Sequence, residues 1–227
     1  MKYENVVTGK FIERPNRFIA MVDIEGKTEK CHVKNTGRCR ELLMPGAEVY
    51  LERSSNPNRR TSYDLVGVKK GEIFINMDSQ APNKAVKEWL EKETFFKNIT
   101  YLKPECRYGN SRIDFYLETE ERRKIFIEVK GVTLEEEGIA RFPDAPTERG
   151  IKHIQELVQA VKDGYEGYIL FVIQMKKNLH FEPNDGTHKE FGDALRKAQE
   201  QGVKILAYDC MVTKDSMKLD SPVKVQL

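Results

Sequence analysis

Hydrophobic and polar positions divide the chain into two differently patterned halves. Through about residue 78, short apolar runs alternate with turn residues. FIERPNRFIAMVDI has two such runs around a turn at Arg14-Pro15-Asn16. KTEKCHVKN, AEVYLERS, SYDLVGVKK and GEIFIN read as further strands, the last two joined at Lys70-Gly71. Short strands with tight turns predict a small closed barrel of the OB-like kind. From Asn83, which can cap a helix through about Phe96, the period changes. Three strand candidates follow: YLKPECRY, SRIDFYLE and KIFIEVKG. Pro146-Thr147 opens a helix through Lys162, with Ile151, Ile154, Leu157, Val158 and Val161 at helical spacing. GYILFVIQM reads as a strand buried on both faces, and a helix from about Lys189 to Glu200 and a strand VKILAYD complete the pattern. Strands alternating with helices predict a sheet with parallel strands and helices on its faces. The expected division is 1–80 and 81–227, with the join in NMDSQAP.

The hairpin formed by Ser111–Leu117 and Ile125–Lys130 carries the chemistry. One register pairs Ile113 with Val129, Phe115 with Ile127 and Leu117 with Ile125, so one face is wholly apolar. On the other face Asp114 meets Glu128, Arg112 meets Lys130 and Tyr116 meets Phe126. Carboxylates directly across a strand pair lie roughly 5 Å apart at Cβ. Such closeness is unfavourable unless a cation lies between them or one is protonated. Mg²⁺ (or Mn²⁺) suits two carboxylates, with waters and phosphate oxygens completing its shell. Lys130 shares the face of Glu128 and can hold a scissile phosphate or an attacking water. A surface salt-bridge lattice is the plainer alternative. The apolar flanks of IFIEVKG count against it, because a strand that looks buried yet carries Glu and Lys is a local contradiction of the kind functional sites tolerate.

Composition changes this picture little. The chain has 227 residues, 39% hydrophobic and 33% charged, with a net charge of +2. No run approaches the ~20 apolar residues of a membrane span, and the start lacks the apolar core of a secretory signal. A cytoplasmic protein without membrane contact is expected. Cys31, Cys39, Cys106 and Cys210 form no C-x-x-C pair, which favours reduced thiols over zinc or disulfides. Charge distribution says more. Between Lys30 and Lys70 nine Lys/Arg stand against four acids, a local excess of +5. Within it VKNTGRCRELLMPG places Lys34, Arg38 and Arg40 in a turn-rich segment that either holds phosphate or caps the barrel.

Other positions surround the hairpin. Arg149 and His153 share a helix face away from the apolar stripe, near a helix N-terminus, and are candidates for nucleic-acid contact. Glu105, ahead of Glu88 and Glu91, is the candidate further acid. GVTLEEEGIARFPDAPT is either a packed loop or a lid through which Asp144 reaches the site, and Gln174 ends a strand near its edge.

Asp114, thirteen intervening residues and then Glu128-Val129-Lys130, set in an αβββαβ order, resembles the PD-(D/E)XK nuclease superfamily. That resemblance implies metal binding by Asp114 and Glu128 and catalytic assistance from Lys130. Over nearly the whole chain, VKNTGRCRELLMPG, YGNSRIDFYLE, IEVKGVTL and FPDAPTERGIKHIQEL resemble the sugar fermentation stimulation protein (SfsA) family. This implies an α/β protein: an N-terminal OB-like barrel followed by a PD-(D/E)XK, restriction-endonuclease-like domain. It also implies DNA binding with a regulatory link to sugar use. Two functions follow as expectations. One is a DNA-binding protein, with RNA as a second candidate partner, that carries an Mg-dependent phosphodiesterase site. The other is a non-catalytic, largely non-specific DNA-binding regulator of sugar (maltose-type) metabolism. An enzyme acting on a small nucleotide lacks support from any Walker or Rossmann glycine pattern.

Overall fold

The computed structural model describes residues 1–35, 37–92 and 95–227. Strands β1 (Val6–Asn16), β2 (Ile19–Ile24), β3 (Lys27–Val33), β4 (Glu48–Arg53), β5 (Tyr63–Lys70) and β6 (Ile73–Asn76) form the first sheet. Antiparallel pairing runs β3-β2-β1-β4-β5-β6, and a parallel pairing of β3 with β5 closes it into a five-stranded barrel. This is the expected OB-type barrel. Closure leaves no free edge among β1–β5, and alternating side chains such as Val22, Cys31, Leu51 and Leu65 fill the interior.

The first turn lies later than expected. β1 continues through Pro15 and Asn16, and the turn is Arg17-Phe18. The Asn16 side chain fixes it by accepting a hydrogen bond from the Phe18 amide at 2.9 Å. Of the Asn35-Thr36-Gly37 turn, Thr36 lies outside the described residues, as do residues 93–94 of the helix expected to reach Phe96.

The second large sheet has the order β15-β14-β12-β9-β8-β7. Its members are β7 (Ile99–Tyr108), β8 (Ser111–Thr119), β9 (Lys124–Val132), β12 (Glu166–Ile173), β14 (Lys204–Val212) and β15 (Met217–Pro222), with β12 parallel to both β9 and β14. Helix α1 (Ala81–Glu91) covers one face, and α2 (Glu148–Lys162) and α3 (Asp185–Glu200) cover the other. This is the restriction-endonuclease-like α/β arrangement. Alternation along the strands assigns the faces. On β12, Tyr168, Leu170 and Val172 pack with Trp89 and Leu90 of α1, while Ile169 and Phe171 pack with Ile154 and Leu157 of α2.

Three details differ from the sequence reading. The acidic stretch before α2 is neither loop nor lid, because β10 (Leu134–Glu136) and β11 (Ile139–Phe142) form a small sheet with β13 (His180–Pro183). Within it Glu135 is buried against Lys70 of the barrel at 2.7 Å. β15 was not anticipated, since its KLDSP sequence lacks a strand-like apolar run. Asn83 does not cap α1, which begins at Ala81 with Pro82 in its first turn. Among the described residues, no helix is long and apolar enough to cross a membrane. Cys31, Cys39 and Cys210 are buried as free thiols.

The starts of the three central strands are tied together by charge. Glu166 accepts from Arg123 at 2.6 and 2.9 Å, from Lys204 at 2.8 Å and from Tyr168 at 3.0 Å. The Arg123 guanidinium, assisted by Lys204 and Tyr168 against the effect of burial, holds its carboxyl down from 4.5 to about 2. A depressed carboxyl stabilises the fold above its unfolded pKa, and the contribution disappears as pH falls through the folded one. Glu166→Gln is therefore expected to lower the melting temperature at pH 7. Thermal denaturation across pH should show the deficit shrinking between about 4.5 and about 2.

Candidate metal and nucleic-acid site

The site forms where β8 and β9 separate. The observed ladder pairs Phe115 with Ile127, Tyr116 with Phe126, and Leu117 with Ile125, which is the register expected from sequence, but it ends at Phe115. At the next position the strands exchange a side chain: Asp114 Oδ2 accepts the Val129 amide at 2.8 Å. Its Oδ1 accepts from Asn83 Nδ2 of α1, also at 2.8 Å. The opposition of Arg112 and Lys130 is not formed either. Arg112 instead pairs with Glu105 at 3.0 Å.

Glu128 is 3% exposed and on the α2 side of β9. Its Oε1 takes the Lys130 ammonium at 2.7 Å and also meets His153 Nδ1 of α2. Arg149 Nε donates to His153 Nε2 at 3.4 Å. That bond makes Nε2 an acceptor, so Nδ1 carries the hydrogen and donates to Glu128. Glu128 Oε2 is buried and has no partner. Burial opposes ionisation of Glu128, but the His153 hydrogen bond and the Lys130 charge outweigh it and hold the carboxyl below its usual range. Asp114 is displaced upward, first by burial and then by the Glu128 charge. The two carboxylates therefore compete for ionisation.

A divalent cation fits this donor set. It would satisfy Glu128 Oε2 and relieve the repulsion that raises Asp114. Oxygen ligands alone suit a hard ion rather than zinc. Among the described residues, no group of three or more His, Cys, Asp or Glu is placed to hold a metal. Asp114 and Glu128 would supply two oxygen ligands and leave coordination positions for water and substrate, as Mg²⁺ prefers.

Comparison with known proteins agrees with this architecture. The family described as "Sugar fermentation stimulation protein RE domain" matches residues 80–216, and the one described as "SfsA N-terminal OB domain" matches residues 12–77. The chain belongs to the SfsA family. A sugar fermentation stimulation protein homolog of Clostridium beijerinckii is 59% identical over the whole of both chains. One from Ruminiclostridium cellulolyticum is 60% identical over the same extent. The solved structure of Pyrococcus furiosus SfsA in complex with Ca²⁺ superposes with a TM-score of 0.91 at 29% identity, covering 100% of this chain and 98% of that one.

Other residues singled out from sequence fall in varied places. Lys34 is engaged by carboxylates, with Asp78, Asp64 and Glu52 at 3.4, 3.6 and 3.7 Å. Arg38 and Arg40 are exposed, as is Arg149. Glu105 lies on β7 between Pro104 and Cys106, the partners of Phe115 and Ile113, but it is exposed and paired with Arg112, so it does not join the carboxylates. Asp144 spans to the barrel, where Oδ2 accepts the Arg38 amide at 3.1 Å. Gly37 is required there, because a Cβ would lie 2.4 Å from Asp144 Oδ2. The Gly37 amide is taken by Asn35 Oδ1, so these two loop amides hold side chains of the protein itself. Gln174 Nε2 donates to Asn76 and Asp78, binding the linker to the sheet. Its Oε1 would lie 2.6 Å from any Cβ at residue 131, which explains Gly131 after Lys130.

Sequence reasoning missed the roles of Asn83 and Arg14. Arg14 donates to the carbonyls of Arg17, Asn35, Gly37 and Arg38 at 2.7 to 2.9 Å, so one guanidinium shapes the arginine-bearing loop. A polar residue in a first helical turn and an Arg-Pro-Asn string were the available signals. His153→Leu leaves the buried Glu128 short of a partner and is expected to cost about 1–3 kcal/mol. Thermal denaturation should show a drop of about 2–4 °C per kcal/mol for a chain of this size. An unchanged melting temperature would mean that the His153–Glu128 contact contributes nothing.

Proposed function

We propose that this protein is a Mg²⁺- or Mn²⁺-dependent phosphodiesterase acting on DNA, with residues 81–227 bearing the cleavage site and residues 1–80 holding nucleic acid. The observation that carries the reading is Glu128 Oε2, a buried and unpartnered carboxylate oxygen beside a second carboxylate whose ionisation it opposes. The Ca²⁺ complex of P. furiosus SfsA supports a divalent ion at this kind of fold. A cytoplasmic setting suits the buried free thiols.

Asp114 and Glu128 would hold the ion. When bound, it supplies Lewis-acid polarisation of a phosphate and lowers the pKa of bound water. The remaining roles belong to side chains. Asn83 and the Val129 amide fix both Asp114 oxygens in direction. His153 anchors Glu128 through Oε1 and leaves Oε2 available. Lys130, 15% exposed, is the cation next to the carboxylates and can meet a scissile phosphate, stabilising charge that develops on it. Arg149 uses Nε on His153, and its remaining N–H groups are free to receive the strand backbone. Arg38 and Arg40 extend that backbone contact onto the barrel. Lys34, held by three acids, is reserved for structure.

Incubation with single-stranded, duplex and branched DNA and with RNA, plus Mg²⁺ or Mn²⁺, tests the reading. Cleavage is expected, with Asp114→Ala and Lys130→Ala each lowering the rate at least ~100-fold, the scale of losing one transition-state charge contact. Binding retained by both variants with no cleavage of any substrate by the wild type would overturn catalysis and leave a DNA-binding regulator.

A further inference from the structure

The turn between β1 and β2 brings an aromatic ring and three arginines together on the surface. Phe18 is 44% exposed, although apolar residues dominate the strand beside it. The Arg17 guanidinium lies 4.7 Å from the centre of its ring. Arg14 links this turn to the loop of Arg38, donating to the Arg17 carbonyl at 2.7 Å and to the Arg38 carbonyl at 2.8 Å. Asp144 joins the same loop to the segment that leads into α2, which carries Arg149 and His153. Hydrogen bonds through Arg14 and Asp144 thus tie the turn that bears Phe18 to the segment leading into α2.

Ion pairs elsewhere in the barrel use Lys10, His32, Lys34, Arg59 and Lys70. Among the described residues, Arg17, Arg38 and Arg40 have no carboxylate partner. Two further apolar side chains of the barrel domain are exposed. Ile12 sits at a bulge of β1 and is 38% exposed, and Met44 is 59% exposed in the turn whose Gly46 amide donates to the Phe11 carbonyl. Exposed apolar side chains interleaved with unpaired arginines fit a polyanion that also presents flat apolar faces. Single-stranded nucleic acid has that chemistry, because its bases are free to stack. A duplex keeps them inside.

Building on the nuclease reading, we propose that Phe18 and Arg17, with Arg38 and Arg40, form a single-strand platform. One unpaired base stacks on Phe18 while the arginines take neighbouring phosphates. The preferred substrate class is accordingly nucleic acid with an unpaired segment next to the cleaved bond.

Anisotropy titrations in EDTA, with a labelled 20-nucleotide strand and the same strand in a duplex, isolate the platform from metal and turnover. The wild type is expected to prefer the single strand. Phe18→Leu should weaken it about 5- to 150-fold, the range for one stacked base, and barely affect the duplex. Phe18→Trp should retain affinity and show tryptophan emission quenched by the strand, against a background of one buried Trp89. Arg17→Gln, Arg38→Gln and Arg40→Gln should each flatten the salt dependence by about 0.7, the slope per phosphate of a single strand. Circular dichroism is expected to be unchanged in all five variants, since every site is exposed.

Equal affinity for strand and duplex, unaltered binding by Phe18→Leu, or a Phe18-dependent dimer whose loss leaves binding intact overturns the platform. None of these touches the cleavage reading, which Asp114→Ala scores separately. Failure to bind any nucleic acid overturns both.

Discussion

Two carboxylates, Glu128 buried and Asp114 half-buried, are held close to one another, and much of the surrounding structure is the means of keeping them there. The charge of one opposes ionisation of the other, and burial adds to that opposition. Without a cation, Glu128 keeps its charge through His153 and Lys130, and Asp114 is pushed toward protonation. Four elements of the second domain set this balance, with β8 carrying Asp114. Helix α1 brings Asn83, β9 brings Lys130 and the Val129 amide, and α2 brings His153. The site is therefore preorganised by packed secondary structure rather than by loops, which limits how far its ligands can drift.

The barrel is fastened to this site at several points of a different kind. Lys70 reaches Glu135, Gln174 reaches the Asn76–Asp78 linker, and Asp144 reaches the Arg38 amide. Gly131 and Gly37 permit two of these approaches, because a Cβ at either would collide with Gln174 or Asp144. Tyr3 adds a hydrogen-bonded tie between Asn76 and Asp78. An apolar core continues from barrel residues such as Leu65 and Ile75 through Met77 to the α2 side of the large sheet. With the barrel so held, surface residues such as Arg38 stand in a defined place relative to α2.

Much of this was legible in the sequence because the hairpin has a strict two-residue period. Apolar residues at 113, 115 and 117 against 125, 127 and 129 fix one register, and the polar positions follow from it. What the period cannot show is where a ladder stops. At Asp114 a side chain replaces a backbone partner, so the expected facing pairs beyond Phe115 are absent. Contacts between elements distant in sequence were likewise invisible. Asn83 looks like a helix cap, His153 like a surface histidine, and Arg14 like part of a turn, until the fold brings each to its partner. The turn at Arg17-Phe18 was misplaced because an Arg-Pro-Asn string is a strong turn signal, whereas Pro15 here sits within β1. Net charge hid the free arginines, because acids outside this segment bring its excess of +5 down to +2 for the whole chain.

Divalent-ion binding tests the account most directly, because it probes the carboxylate pair without requiring a substrate. Calorimetric titration of the full chain with Mn²⁺ should reveal one site per chain. Glu128→Gln, which keeps the size of the side chain and removes its charge, should abolish it. Absence of a site in the wild type, or an undiminished one in Glu128→Gln, would contradict the claim that the carboxylate pair exists to hold a cation.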